Sequence, residues 1–277
     1  MLSRFLNRRR ERQPERRMVA ASYGARLYAI GDIHGRRDLL DDVLQQIAEQ
    51  DAKNAGNPSE IIFLGDLIDR GPDSAAVVER VVALRASGRS ISVLLGNHEE
   101  VFLRVLQGEA NLLPMFIKIG GRETLFSYGI TRHEYDTLSN EALAERMRAL
   151  VPPAHLALLN DCDEMVFRGD YVFVHAGIRP GVPLAEQSEN DLRWIRSPFL
   201  ESSVDHGRVI VHGHTVTEEP ELRTNRIGID TGAVYSGRLT VLGIDGTRRW
   251  LFESAAKPAV EPARRSAARL DLHSHSS

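Results

Sequence analysis

Three apolar runs in the first hundred residues each stop at a glycine followed by side chains of metal-ligand type. Residues 26–30 run into Gly31-Asp32-Ile33-His34-Gly35, residues 61–64 into Gly65-Asp66, and residues 91–95 into Gly96-Asn97-His98-Glu99. Between them, Leu39, Leu40, Val43, Leu44 and Ile47 recur at helical spacing, as do Val77, Val78, Val81, Val82 and Leu84. Strand, helix, strand, helix, strand implies parallel strands joined by right-handed crossovers. Ligands of open α/β sheets sit beyond the carboxyl ends of the strands, and all three polar clusters fall at such ends.

The rest of the chain changes character. Residues 101–107, 114–119 and 141–150 read as helices, punctuated by Gly120-Gly121 and Pro152-Pro153. They predict a helical insertion, about residues 99–160, beside the site. Strands then resume: residues 164–168 and 171–174 form a hairpin across Gly169-Asp170, followed by 208–211, 226–230, 238–244 and 249–252. The expected fold is α/β, with two packed mixed sheets flanked by helices.

Composition sets the outer limits. The chain has 277 residues, a net charge of -3 and 42% hydrophobic residues, ordinary for a globular protein without a basic field for nucleic acid. No stable nucleic-acid complex is expected. Residues 1–17 carry seven Arg against Glu11 and Glu15. Residues 1–22 therefore read as a disordered Arg-rich arm, and residues 255–277 as a disordered tail. Residues 23–254 form the expected catalytic domain. Cys162 is the only cysteine, which fits a reducing cytoplasm, and it reads as a small buried residue. No apolar run approaches the roughly 18 residues of a membrane span.

Two later clusters, His175-Ala176-Gly177 and His212-Gly213-His214, also follow apolar runs. Asp, His and Asn together suit borderline divalent metals such as manganese, iron and zinc. Two such metals about 3.5–4 Å apart are a common solution for phosphoester hydrolysis. They need a bridging carboxylate, and Asp66 is the candidate. A bridging water then loses a proton near neutral pH and attacks phosphorus in line. Arg70 is placed to hold phosphoryl oxygens. His98 is a natural proton donor to the leaving group, with Asp69 to raise and orient it.

The motifs Gly31-Asp32-Ile33-His34-Gly35, Gly65-Asp66-Leu67-Ile68-Asp69-Arg70-Gly71, Gly96-Asn97-His98-Glu99, His175-Ala176-Gly177 and Gly213-His214-Thr215 stand in that order. The chain thereby resembles the phosphoprotein phosphatase family, serine/threonine phosphatases on the calcineurin-like metallophosphoesterase fold, and especially its bacterial and phage members. The resemblance implies that Asp32, His34 and Asp66 hold one metal and that Asp66, Asn97, His175 and His214 hold the second. It implies His98 as proton donor, Asp69 as its partner and Arg70 as a phosphate clamp. Trp194-Ile195-Arg196 resembles the segment supplying a second clamp, so Arg196 is placed there. The implied cofactors are two metal ions, manganese first, with iron or zinc as the other candidates.

Three functions compete. The first is a serine/threonine-type protein phosphatase, a phosphoric monoester hydrolase that also accepts small phosphoesters. The second is a diadenosine tetraphosphate or other nucleotide polyphosphate hydrolase. The third is a non-catalytic binding module on the same fold, for which ligands ought to be missing. Relatives of the second kind carry Asp at the end of the third motif, and Glu99 favours the first reading.

Overall fold

A computed structural model describes residues 25–255. The expected Arg-rich arm, and the expected tail beyond Ala255, lie outside these residues. In chain order, β1 (Arg26–Ile30), α1 (Arg37–Ala52), β2 (Ser59–Phe63), α2 (Ser74–Ala86) and β3 (Ile91–Val93) come first. Helices follow: α3 (Asn97–Leu106), α4 (Leu113–Phe116), α5 (Arg122–Ser127), α6 (Arg132–Thr137), α7 (Asn140–Leu150) and α8 (Pro153–Asn160). The last part holds β4 (Val166–Arg168), β5 (Tyr171–Phe173), α9 (Glu189–Trp194), β6 (Val209–His212), β7 (Glu221–Leu222), β8 (Arg226–Gly228), α10 (Ala233–Ser236), β9 (Thr240–Asp245) and β10 (Arg248–Glu253).

The strands make two five-stranded mixed sheets, ordered β10-β9-β1-β2-β3 and β4-β5-β6-β8-β7. In the first, β1, β2 and β3 are parallel, as their helical crossovers require, while β9 returns antiparallel to β1. In the second, β5, β6 and β8 are parallel. Strand alternation explains the packing. Leu27 and Ala29 of β1 and Ile62 of β2 face Phe173, Val211 and Ile227 between the sheets. Tyr28, Ile30 and Phe63 face outward under α1, α2 and α3. With both faces buried, β1 and β2 read as unbroken apolar runs.

Some elements were not legible. β7 has two residues and shows no pattern. The third polar cluster is not a free loop: Asn97 opens α3 directly. Residues 114–119 are not one regular helix, because after α4 the chain passes through a widened helical turn in which Gly120 has φ 125°. Among the described residues, no helix is long and apolar enough to cross a membrane.

Candidate metal centre

The parallel strands of both sheets deliver their carboxyl ends to one rim. Asp32 and His34 follow β1, Asp66 follows β2, Asn97 and His98 open α3 after β3, His175 follows β5, and His214 follows β6. The backbone there is unusual. Among the described residues, the non-glycine positions with left-handed φ are His34, Asp66, Asp69, Arg70 and His214. Each such residue is held in a sparsely populated conformation, which persists only where the surroundings over-determine it. Here Asp66 O accepts from both Ile33 N (3.1 Å) and His34 N (2.9 Å), Gly120 O accepts from Arg70 N (2.9 Å), and Asp32 Oδ2 accepts from His214 N (2.9 Å).

Asp66 stands between two imidazole groups. Its Oδ2 lies 3.6 Å from His34 Nε2 and 3.8 Å from His98 Nε2, while its Oδ1 lies 3.4 Å from His175 Nε2. Two sets, His34/Asp66/His98 and Asp66/His175/His214, each bring their ligand atoms within 4.8 Å of one another.

The donor inventory tests whether cations fit. His175 Nδ1 donates to Leu64 O at 2.7 Å, leaving Nε2 as a lone pair. That lone pair faces Asn97 Oδ1 at 3.0 Å and Asp66 Oδ1 at 3.4 Å. Three acceptors thus converge; Asn97 Oδ1 and Asp66 Oδ1 also meet His214 Nδ1 (2.8 Å) and His98 N (3.2 Å), while the His175 lone pair has no donor among the described residues. Burial lowers the pKa of His175, so a proton on Nε2 is disfavoured as the missing donor. Asp32 Oδ1, His214 Nε2 and Asp230 Oδ2 are buried with no partner. Burial first, then Asp230 and Asp66, push Asp32 well above its usual range, and burial brings Asp230 up to about 6. Buried carboxylates crowded beside neutral imidazoles are the donor set of a divalent metal site, and the residues fit one.

The proton donor and the clamp lie beside it. His98 Nδ1 donates to Asp69 Oδ2 at 2.6 Å. Burial opposes a charge on His98, yet Asp66 and Asp69 overcome it and raise the pKa. Arg70 forks across two rings, with Nη1 2.8 Å from His34 Nε2 and Nη2 2.9 Å from His98 Nε2. Arg196 is exposed on the loop after α9, and its positive charge reaches His214 and Asp230. Among the described residues, no hydrogen bond joins its side chain to the rest of the site.

Several participants have no motif of their own. Thr124 Oγ1 donates to Asp69 Oδ1 (2.6 Å) and accepts from Asp69 N (2.9 Å), which also reaches Ser74 Oγ (3.0 Å). Gly120 supports Arg70 so closely that a Cβ there would lie 2.6 Å from Arg70 Cγ. Arg122 and Glu123, beside these residues, pair with each other. Asp230 ends the expected strand 226–230, where a carboxylate of ligand type could have been noticed. Arg36 is tied to Asp38 and to Ala233 O, and so serves the loop rather than phosphate.

Glu99 proves to be internal. Its carboxylate accepts from Asp66 N (2.9 Å), Leu67 N (2.8 Å), Ile68 N (3.2 Å) and Gly96 N (3.2 Å). Burial, then Asp66, push its pKa up to about 8. It shapes the loop carrying Asp66 and is 1% exposed, so the preference for a protein phosphatase drawn from it does not hold.

This chain belongs to the calcineurin-like phosphoesterase family, whose sequence profile matches residues 25–234. Among curated proteins it is similar to bis(5'-nucleosyl)-tetraphosphatase PrpE [asymmetrical] of Anoxybacillus flavithermus, 29% identical over 77% of this chain and 88% of the relative. The protein of the same name from Bacillus subtilis is 28% identical over 76% and 87%. Among solved structures, a candidate diadenosine tetraphosphatase superposes with TM-score 0.60 at 20% identity, covering 86% of this chain and 97% of that one. A cold-active protein tyrosine phosphatase follows at 0.54 and 17%, over 82% and 78%. The shared fold therefore spans unlike substrates and does not choose between them, whereas the curated relatives carry the name of the second sequence reading rather than the first.

Proposed function

We propose that this chain hydrolyses dinucleoside tetraphosphates or related nucleoside polyphosphates at a binuclear metal centre, cleaving a phosphoanhydride rather than a protein phosphomonoester. The observation that carries the metal chemistry is the division of Asp66, one oxygen toward His34 and His98 and the other toward His175. The substrate class rests on relatives that match along most of both chains.

In this reading Asp32, His34 and Asp66 would hold one ion, and Asp66, Asn97, His175 and His214 would hold the other. Ions held there would supply Lewis-acid polarisation of the phosphoryl group and a water made nucleophilic near neutral pH. The protein's own groups do the rest. Arg70 and Arg196 bind phosphoryl oxygens, Arg70 by turning its fork from the imidazoles to the substrate. His98, oriented by Asp69, delivers a proton to the departing oxygen. Asp230 adds negative charge behind Asp32. A departing nucleotide is a far weaker base than a serine alkoxide, so this proton matters less for an anhydride than for an alkyl phosphate.

The test is a comparison of kcat/KM for diadenosine tetraphosphate and for phosphoserine peptides with manganese present, the products being separated by chromatography. The expected result is a preference for the dinucleotide. Efficient peptide dephosphorylation with no dinucleotide turnover would return the assignment to the protein phosphatases.

A further inference from the structure

Phosphates account for only the middle of a dinucleoside polyphosphate, and the ligands described above all address that part. A nucleobase needs a flat or apolar face that remains accessible. Among the described residues, the large exposed apolar side chains are Met115, Leu138, Phe167, Val204, Val216, Leu222 and Tyr235. Of these, Val216 and Tyr235 lie on the segments after β6 and β8 that carry His214 and Asp230, whereas Val204 shares its loop only with the clamp candidate Arg196. Val216 stands two positions after His214, and Tyr235 five after Asp230.

They form one surface. Gly232 has φ 68° and opens α10, and a Cβ on it would lie 2.9 Å from Val216 Cγ1 and 3.6 Å from Tyr235 Cδ2. Glycine at this bend thus leaves room for both side chains to flank it. The loops beneath are tied to the metal-bearing segments: Thr217 N donates to Asp230 O (3.0 Å), and Arg36, next to the first motif, donates to Ala233 O (3.3 Å). Ala233 and Val234 are buried while Tyr235 is 49% and Val216 48% exposed, so the short helix is anchored on one side and presents its aromatic ring on the other. Among the described residues, the Tyr235 side chain has no hydrogen-bond partner.

We infer that Tyr235 and Val216 are a nucleobase platform, on which one base of the nucleoside polyphosphate stacks while its phosphates reach the centre. This rests on the reading given under Proposed function. A stacked base suits this surface because its two exposed side chains, one aromatic and one aliphatic, offer a face to an uncharged ring and no charge to a phosphate.

The test uses the full chain with manganese and the variants Tyr235→Ala, Tyr235→Phe and Val216→Ser. Diadenosine tetraphosphate is compared with inorganic tripolyphosphate, which has the anhydride but no base. Tyr235→Ala is expected to lower kcat/KM for the dinucleotide roughly ten- to hundredfold, mainly through KM, the span of one base–aromatic stack. Tripolyphosphate turnover is expected to stay at the wild-type rate, Tyr235→Phe to keep wild-type behaviour, and Val216→Ser to fall between. Equal loss on both substrates, or no loss on either, overturns the inference. A separate arm reads AMP binding by calorimetry without turnover, with at least tenfold weaker binding expected for Tyr235→Ala. If the wild-type protein hydrolyses no dinucleotide, the functional reading fails, and the AMP arm still decides the platform: equal binding by wild type and variant, or none by either, rejects it.

Discussion

Arg70 Nη1 donates to His34 Nε2 across 2.8 Å, so a guanidinium holds the lone pair that a metal ion would take. Burial, then Arg70, keep His34 well below its usual pKa, which leaves that lone pair available. Arginine and cation therefore compete for one atom. Arg70→Ala is expected to tighten metal binding in the absence of substrate about tenfold, the worth of one charge-assisted hydrogen bond. It is expected to lower kcat/KM at the same time through loss of the phosphate clamp. Calorimetric titration with manganese checks the first half, and weaker metal binding by the variant would refute the competition.

Asp66 is expected to be indispensable to the metals because both of its oxygens are engaged. Asp66→Asn keeps the shape but removes the charge. Elemental analysis is expected to find less than one ion per chain, and kcat/KM to fall by about 100-fold or more. The circular dichroism spectrum is expected to match wild type. Full metal occupancy in this variant would show that the bridge is elsewhere.

Thr124 and Gly120 support the Asp69–Arg70 pair from outside the motifs. Thr124→Val keeps the volume but takes the hydroxyl donor from buried Asp69 Oδ1 and leaves Asp69 N with Ser74 Oγ alone, which is expected to cost about 1–3 kcal/mol of stability. A drop in kcat is expected with it, and Thr124→Ser is expected to restore both. Gly120→Ala is expected to raise KM by displacing Arg70. Wild-type kinetics in Thr124→Val would remove the threonine from any positioning role.

Glu99 is expected to govern stability and not substrate choice. Glu99→Asp withdraws the carboxylate from several of its four backbone donors, with an expected loss of about 1–3 kcal/mol in denaturant unfolding. The ratio of kcat/KM for diadenosine tetraphosphate to that for a phosphopeptide is expected to stay within about twofold of wild type. A large swing in this ratio would make Glu99 a selector after all.

His212 predicts an acid-sensitive step in folding stability. Burial lowers its pKa to about 4, and Arg226, with Nη1 3.3 Å from Nε2, acts in the same direction. Unfolded histidine titrates near 6.5. Between these values only the unfolded chain binds the proton, so the contribution is complete above about pH 6.5 and is lost as pH falls through about 4, a total of about 3 kcal/mol. Urea unfolding at several pH values is expected to show a shallower slope for His212→Gln than for wild type. Parallel slopes would place the titration elsewhere.

The strand-end clusters were readable in advance because each couples a local pattern to a local consequence. Residues 26–30 can only be a buried strand, and Gly31 ends it where a side chain is needed. His34, Asp66 and His175 share a site because parallel strands end on one rim. Thr124 was not readable: it meets Asp69 across 55 positions, and its own neighbourhood looks like an ordinary helix start. Glu99 was readable as a difference but not as a direction, since nothing in the motif says whether its oxygens face the cleft or the backbone. Arg196 remains a matter of chemistry more than contact, because the loop presents it to solvent.

The grip of Gly120 and Thr124 on Arg70 and Asp69 has a practical corollary for chimaeras. The helices α4 to α8 invite exchange among relatives as a cassette, with α3 staying behind because it carries Asn97 and His98. In this chain the cassette also holds the clamp and the partner of the acid. A graft that keeps its helices but lacks the glycine and threonine would deliver a new substrate to a disarmed centre, so those two residues belong to the recipient's side of the cut.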